Sequence, residues 1–339
     1  MGCDDLKKVL ILIATLLVFP ILIYYSKDVA EGVANGVRVC FNTILPSLYI
    51  FTILSIFCVN ADLLNIKPIR FISRIFNLNE CCGSVLILSL FCGYPVGARL
   101  INELYKMKAL NKKTAELLLC FSINPGPAFV ISAIGVCLYK SKTIGSIIFV
   151  SAIITPLLLT LICRKHFKCN KTIEHRDIKY TNCFSNAVSN ANKTLAAICG
   201  WVILGSVCVR FADILGCTWL SYFLEVSIGV VEASKVSIYL VSFLIGFGGV
   251  CVHLQAFSAA TDIKPRLWII FIIRTICGFA NFITTYLLLK VFKVSVATVN
   301  INNLNFESGE TTPLASVILV LFIITTLTFL QRKLKNYGK

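Results

Sequence analysis

Three hydrophobic stretches of the chain are interrupted by glycine, proline and amide residues. The interruptions are FCGYPVG at residues 91–97, SINPGP at 122–127 and GFGG at 246–249. Because proline lacks an N–H group and glycine tolerates positive φ, a regular helix is not expected to run through them. At membrane depth, free N–H and C=O groups persist only where protein or a water-filled cavity shelters them. Such interrupted helices form the substrate and ion sites of secondary transporters, so the predicted chemistry is solute binding by free backbone groups.

The candidate binding residues are the glycines and prolines that free these amides, together with polar and charged side chains close to them. They are Gly93, Tyr94, Pro95, Gly97, Arg99, Asn124, Gly126, Gly248, Gly249, His253, Gln255 and Arg274. Asn124 offers both a donor and an acceptor beside two prolines. His253 is the one histidine within a membrane run, where it is expected to relay a proton, bind substrate or serve as a hydrogen-bonded bundle residue.

Two arginines are open to more than one interpretation. Arg274 lies inside the hydrophobic run 267–289, where a charge costs roughly 3 kcal/mol on insertion scales. It is predicted to face the bundle interior with Glu225, Glu232 or an anionic substrate as its partner. The alternative is that it snorkels to the cytoplasmic surface. Arg99 is predicted either to face the same cavity or to be a cytoplasmic charge that sets topology.

Composition places the chain among polytopic helical membrane proteins. Of its 339 residues 57% are hydrophobic and 14% are charged, and the mean hydropathy is +0.85. The net charge of +16 is attributed to positively charged cytoplasmic loops rather than to nucleic acid binding. The chain has no phosphate-binding Walker motif and no HExxH pair. We therefore predict no enzyme activity, no catalytic residue, no cofactor and no metal site.

The order of the hydrophobic runs predicts an all-α protein with about eight full spans and two re-entrant hairpins. The runs are 9–25, 33–59, 84–97, 115–139, 144–163, 187–211, 219–231, 236–259, 267–289 and 313–330. Basic loops flank 84–97 on both sides, so both ends of this run are expected in the cytoplasm and the run to form a hairpin. The same count makes 219–231 a hairpin that enters from outside. Both chain termini are predicted to be cytoplasmic.

The two parts of the chain repeat one order: a semi-polar helix, a short hairpin, a broken helix and a clean helix. The first set begins outside and the second inside, which predicts an inverted-topology repeat. The predicted organisation comprises an N-terminal membrane helix, a first repeat, a basic cytoplasmic linker, a second repeat, an external loop, and a final helix with a basic tail. These segments are 1–30, 31–165, 166–186, 187–290, 291–312 and 313–339.

Four motifs in sequence order resemble the YlbJ-type sporulation integral membrane proteins of the nucleoside-recognition or Gate-domain group. They are GYPVGARL, NPGPAFV, LEVSIG and GFGGVCVHLQAFS. Pro125 departs from the pattern, because a small residue without a ring is expected there. The resemblance covers most of residues 31–289. It implies movement of dipicolinate from the mother cell toward the forespore across the outer forespore membrane. The inverted-topology repeat predicts that the mechanism is alternating access.

The predicted partners are the lipid bilayer, which the composition indicates, and a small anionic substrate, which the resemblance implies to be dipicolinate. Other sporulation membrane proteins and further copies of the chain are candidate partners, and nucleic acid is not expected. Two other functions stay open. One is a non-transporting scaffold or regulator of spore assembly, and the other is a nucleoside-type carrier.

Overall fold

The computed structural model describes residues 3–61, 71, 73–76, 78, 80–167 and 180–294. Within these ranges every regular element is a helix, which confirms the all-α prediction. Three predicted features lie outside the described residues: most of the basic linker, most of the external loop, and the last membrane run with its basic tail.

The first part of the chain forms a long helix, an interrupted hairpin, a broken helix and a clean helix. Its elements are α1 Cys3–Tyr24, α2 Ser26–Val39, a π-helical turn Cys40–Ile44, α3 Leu45–Asn60, α4 Glu80–Cys92, α5 Tyr94–Lys106, α6 Lys112–Ser122, a π-helix Ala128–Leu138 and α7 Lys142–Ile162. Short polar side chains begin two of these helices, as expected for N-caps. The Asn111 side chain accepts from the Thr114 amide (2.8 Å), and the Ser141 hydroxyl accepts from the Ile144 amide (3.3 Å).

The second part repeats this order of elements. They are α8 Tyr180–Ile214, α9 Ser221–Leu224, α10 Val226–Ser234, α11 Ile238–Phe247, α12 Val250–Ala259 and α13 Leu267–Val291. Helix α8 begins earlier than the hydrophobic run from residue 187 predicts. A symmetry that relates the two parts stays a prediction.

Five helical stretches are long and apolar enough to cross a membrane in the described part of the chain. They are Ser26–Cys58, Lys142–Ile162, Asn182–Ile214, Ile238–Ala259 and Leu267–Val291. The run 115–139 is not one continuous span, because α6 ends at Ser122 and the π-helix starts at Ala128. The predicted first span falls in α1, where the shorter stretch Thr15–Tyr24 is apolar.

Helix α13 shows how a membrane helix divides its two faces. Its outer face carries apolar side chains that are about half exposed, with the spacing of successive helical turns. These are Ile272, Ile276, Phe279, Ile283 and Leu287. The opposite face buries Asn281 and Thr285, which hydrogen-bond to Ser242 on α11 and Ser151 on α7. Such polar contacts hold helices together where lipid on the outside is as apolar as the side chains.

The described helices form two packed units. The first, called the arm below, consists of α2, the Cys40–Ile44 turn, α3 and α8, and it has its own small apolar clusters. The second, called the body, contains α4 to α7, the π-helix and α9 to α13 around one large core. Arg99 of the body donates to the Asn190 carbonyl and side-chain oxygens (both 2.9 Å) and to the Thr194 hydroxyl on the arm.

Glycines bring α2 and α8 of the arm close together. A Cβ atom at Gly36 would lie 2.6 Å from the Ile203 Cα, and one at Gly32 would lie 2.9 Å from the Val207 Cα. At the end of the same interface Arg210 forms ion pairs with Asp28 (2.9 Å) and Glu31 (3.0 Å). Because the glycines allow backbone-to-backbone approach, the arm packs as one rigid pair of helices.

Replacing Gly36 with alanine is expected to push α2 away from α8. The overpacking cost is about 1–3 kcal/mol, which should lower the unfolding temperature of the detergent-purified protein. Gly200 on α8 is the matched control, because no atom lies within 4 Å of a Cβ built there. Gly200→Ala should leave the unfolding temperature unchanged or raise it. A Gly36→Ala protein as stable as the wild type would contradict the close approach.

Candidate functional site

Four interruptions of helical structure meet in the body. Three of them are the ones that the sequence predicts: Gly93 between α4 and α5, residues 123–127 between α6 and the π-helix, and Gly248–Gly249 between α11 and α12. The fourth is Glu225, an extended residue (φ −130°, ψ 121°) between α9 and α10. Each interruption ends one half-helix and begins another, so it leaves free carbonyls on one side and free amides on the other.

The glycine interruptions are set by backbone conformations that other residues rarely adopt. Gly93 has φ 86° and ψ 163°, and Gly249 has nearly the same values, φ 76° and ψ 157°. Gly248 is left-handed at φ 96°. Since Pro95 lies in the first turn of α5, its missing N–H costs that helix nothing.

The 122–127 interruption is set by its two prolines. Helix α6 ends at Ser122, and Ile123 leaves the helical region at φ −89°, ψ 81°. The buried Asn124 side chain donates to the Phe121 carbonyl (2.7 Å) and so satisfies one of the free acceptors at the end of α6. Asn124 therefore closes this helix end and is not among the residues that line the cavity described next.

A small cavity of about 40 Å³ lies between the arm and the body, where the half-helices begin. The body lines it with residues at the start of α5, the π-helix and α10, and with Val252 and Gln255 of α12. The arm lines it with apolar side chains and one serine. The lining residues are Gly93, Tyr94, Pro95, Gly126, Phe129, Glu225, Val226, Ser227, Val252 and Gln255 of the body, and Ile44, Ser47, Leu48, Ile198 and Val202 of the arm. The N-termini of α5, the π-helix and α10 border this cavity, and helix N-termini favour negative charge because of their unpaired amides and dipoles.

The cavity has room for a few water molecules but not for a ring-sized solute. A water molecule needs about 10–15 Å³ by this measure, and a cavity of about 150 Å³ is known to hold benzene. At this volume the cavity does not accommodate an aromatic ligand. Binding of such a ligand would require the arm and the body to separate.

Arg274 lies behind this cavity and is 1% exposed, which excludes snorkelling to the surface. Its Nε donates to the Phe247 carbonyl (3.1 Å) at the end of α11, and its Nη1 donates to the Cys120 carbonyl (3.4 Å) near the end of α6. The prediction of a carboxylate partner is wrong for the described residues. Glu232 pairs with Lys235 (2.6 Å), and Glu225 caps α10. Two helix C-termini stabilise the buried cation instead, because their carbonyl ends carry partial negative charge.

One guanidinium nitrogen of Arg274 takes no part in these hydrogen bonds. Its Nη2 atom is buried and has no hydrogen-bond partner in the described structure. A Cβ built on Gly248 would lie 3.5 Å from this nitrogen and 3.6 Å from the Tyr94 ring. The Tyr94 side chain, whose hydroxyl donates to the Ile245 carbonyl (3.4 Å), thus lies near this nitrogen and also lines the cavity.

His253 lies among aromatic rings and not at the cavity. Its Nε2 is 2.9 Å from the Phe247 carbonyl, and its ring is edge-on to Phe247 (4.9 Å) and Phe271 (4.7 Å). The side chain is fully buried, and Nδ1 has no partner among the described groups. This environment fits the interpretation of a hydrogen-bonded bundle residue that holds the end of α11.

The remaining candidate residues pack helices together. Gly97 permits close contact of α5 with the end of α6, because a Cβ there would be 2.5 Å from the Ser122 carbonyl oxygen. Gly249 lies against the start of α10, 3.1 Å from the Val226 nitrogen by the same measure. Arg99 does not line the cavity but joins the body to the arm. Of the candidates, the cavity thus brings together Gly93, Tyr94, Pro95, Gly126 and Gln255.

Glu225 is the residue of the site that the candidate set lacks. It is 1% exposed, it lines the cavity, and its Oε2 accepts from the Ile228 amide (2.8 Å). The sequence carries a signal for it, because an acidic residue within a short apolar run is expensive and is functional by default. Its position in the second predicted hairpin, opposite the Gly93 interruption of the first, is the further clue.

Replacing Arg274 with methionine is expected to destabilise the protein strongly. The side chain volume is largely kept, but the Cys120 carbonyl loses its Arg274 donor and the Phe247 carbonyl keeps only His253, and an unpaired buried group costs about 1–3 kcal/mol. Arg210→Met is the matched control. It breaks a half-exposed ion pair of the arm, worth about 0–1 kcal/mol. Thermal unfolding in detergent should separate the two variants, and equal shifts would contradict the assigned role of Arg274.

Comparison with known proteins gives one similarity to report. No family model matches the chain, and no solved structure matches it. The sequence is 23% identical over 303 residues to the sporulation integral membrane protein YlbJ of Bacillus subtilis (strain 168). The match covers 73% of this chain and 74% of that protein.

The similarity agrees with the other observations on this chain. It spans far more of the sequence than the four short motifs do. The relative is named an integral membrane protein, which agrees with the five described helical stretches that are long and apolar enough to cross a membrane. The similarity thus supports the assignment of this chain to the YlbJ-type sporulation integral membrane proteins.

Proposed function

We propose that the protein is a membrane transporter of a small anion, dipicolinate, and that it works by alternating access. The observation that carries the proposal is the convergence of four interrupted helices on one cavity between two packed units. A purely structural bundle has no need for four such interruptions at one place, since each adds free backbone groups that must be satisfied.

The packing of the half-helices supports an inverted repeat. The second half of the first hairpin, α5, packs beside the second half of the second broken helix, α12. In the same way α10, from the second hairpin, packs beside the π-helix, from the first broken helix. This exchange of partners is expected when two similar halves are related by a pseudo-two-fold axis, with re-entrant hairpins opposed across the midplane.

The chemistry of the cavity suits a planar dicarboxylate. One carboxylate can take hydrogen bonds from free amides at the half-helix N-termini, whose dipoles favour anions. The unused Nη2 of Arg274 offers a charge-assisted hydrogen bond to the other. Gln255 and Ser47 add neutral polar groups at the wall.

The two-unit architecture supplies the motion that transport needs. Because the cavity lies between the arm and the body, a displacement of one against the other opens it toward one side of the membrane. Few polar bonds cross this boundary among the described residues, and they include those of Arg99 to α8 and of Trp201 to Ser258 (3.3 Å). Few bonds have to be exchanged when the units move.

The cellular role follows from the similarity to YlbJ, whose name places that protein in sporulation. The proposed location is the outer forespore membrane, with dipicolinate carried from the mother cell toward the forespore. Other sporulation membrane proteins and further copies of the chain are its proposed partners. Both termini are proposed to face the cytoplasm of the mother cell.

Uptake of labelled dipicolinate into proteoliposomes tests the proposal. Wild-type vesicles should accumulate label above empty vesicles, and excess uridine should not compete. Absence of uptake would contradict transport and favour a scaffold, whereas competition by uridine would favour a nucleoside-type carrier.

Val202→Phe sharpens the test because it fills the cavity from the arm. Val202 is 2% exposed and lines the cavity, and overpacking there costs about 1–3 kcal/mol. We expect uptake per reconstituted protein to fall at least about tenfold, because the added ring occupies the space between the arm and the body in which the ligand would bind. Leu204→Phe, on the outer face of the same helix at 52% exposure, is the control and should transport like the wild type. Full uptake by Val202→Phe would contradict this cavity as the substrate site.

A further inference from the structure

Glu225 is a buried carboxylate at the centre of the proposed transport site. It occupies the interruption between α9 and α10 and lines the cavity together with Gly93 and Gly126. As the N-cap of α10 its carboxylate accepts a hydrogen bond from the Ile228 amide (2.8 Å), and Ser227 hydrogen-bonds to it as well. The carboxylate thus sits where the half-helix N-termini converge, which is also where an anionic substrate would bind.

No basic side chain neutralises Glu225 within the described residues. The ion pairs of the structure involve other acids, and Arg274 is bound to the carbonyls of Phe247 and Cys120. The titratable groups that face Glu225 come from three neighbouring elements: Tyr94 on α5, Cys40 on the turn of the arm and Cys251 on α12. None of these groups is a cation. A negative charge at Glu225 is therefore stabilised by the amides and the dipole at the N-terminus of α10.

An incoming dicarboxylate would meet this charge at close range. Two anions that share a buried site cannot both stay ionised without a large cost, and in such pairs one group takes up a proton. The substrate cannot be the group that yields, because its carboxylates carry the contacts to the amides and to Arg274. Glu225 has no contact with a cation that protonation would weaken. As a neutral acid it can donate or accept a hydrogen bond.

We infer that Glu225 binds the proton that accompanies the anionic substrate, so that the protein couples dipicolinate movement to proton movement. The inference rests on the proposed function of dipicolinate transport. In the empty site the carboxylate caps α10 and occupies the anion-favouring position. One proton from the aqueous side converts it to the neutral acid as the dianion enters, and the same proton leaves to water on the far side after the dianion has left. No other group changes its charge.

Calorimetry on the wild-type protein in detergent tests the coupling without any variant. Dipicolinate is titrated at pH 8 in buffers of different ionisation enthalpy, which reports protons taken up on binding. We expect uptake of about one proton per dipicolinate, because binding and protonation are reciprocally linked. Affinity should then weaken by up to about tenfold for each further pH unit.

Two glutamine variants on α10 localise the proton. Glu225→Gln keeps an oxygen that can cap the Ile228 amide but cannot change charge. It should bind dipicolinate with no proton uptake and with an affinity that no longer depends on pH. Glu232→Gln is the matched control. Glu232 is partly exposed and pairs with Lys235, so proton uptake should equal that of the wild type.

The outcomes separate this inference from the proposed function. Wild type that binds dipicolinate without taking up a proton overturns the inference and leaves transport standing. Proton uptake that persists in Glu225→Gln also overturns it, because another group then carries the proton. Wild type that does not bind dipicolinate overturns the substrate assignment itself. Glu225→Asp, which can still be protonated, should retain the uptake of one proton, and loss of the uptake in this variant would also overturn the inference.

Discussion

Backbone N–H and C=O groups cannot remain unpaired in an apolar interior, and this constraint governs the arrangement of the interrupted helices. Each interruption creates free carbonyls where one half-helix ends and free amides where the next begins. The carbonyl ends of α6 and α11 receive hydrogen bonds from Arg274, and Asn124 supplies another to α6. The N-terminal ends of α5, the π-helix and α10 border the cavity, with Glu225 as the cap of α10. Because Arg274 and Asn124 bind the carbonyl groups behind the cavity, the backbone groups that are left at its front are N–H donors.

This separation gives the centre of the body an electrostatic polarity. A permanent cation, Arg274, lies at the negative helix ends, and an anion, Glu225, lies at the positive ends, with Tyr94 affected by the charges of both. The two charged residues do not form an ion pair in the described structure. Each is stabilised by helix dipoles rather than by the other.

The arm contributes differently from the body. Its two long helices are held together by glycine contacts and by the ion pairs of Arg210, and they present mainly apolar side chains to the cavity. The body supplies almost all of the polar groups. A rigid apolar wall against a polar centre is well suited to sliding, because apolar contacts have no direction and re-form at a new position.

The sequence by itself determined the helical class, five of the membrane-spanning stretches and three of the four interruptions. It could do so because hydropathy, the missing N–H of Pro125 and Pro127, and the positive φ open to Gly93 and Gly248 are local properties. Only the tertiary structure decided the partners. The carbonyls that bind Arg274 belong to residues 27 and 154 positions away in the chain, and neither these nor the Asn190 contact of Arg99 leave a local pattern. The position of Glu225 at the cavity and of His253 among aromatic rings leaves no local pattern either, because burial is set by which helices pack together.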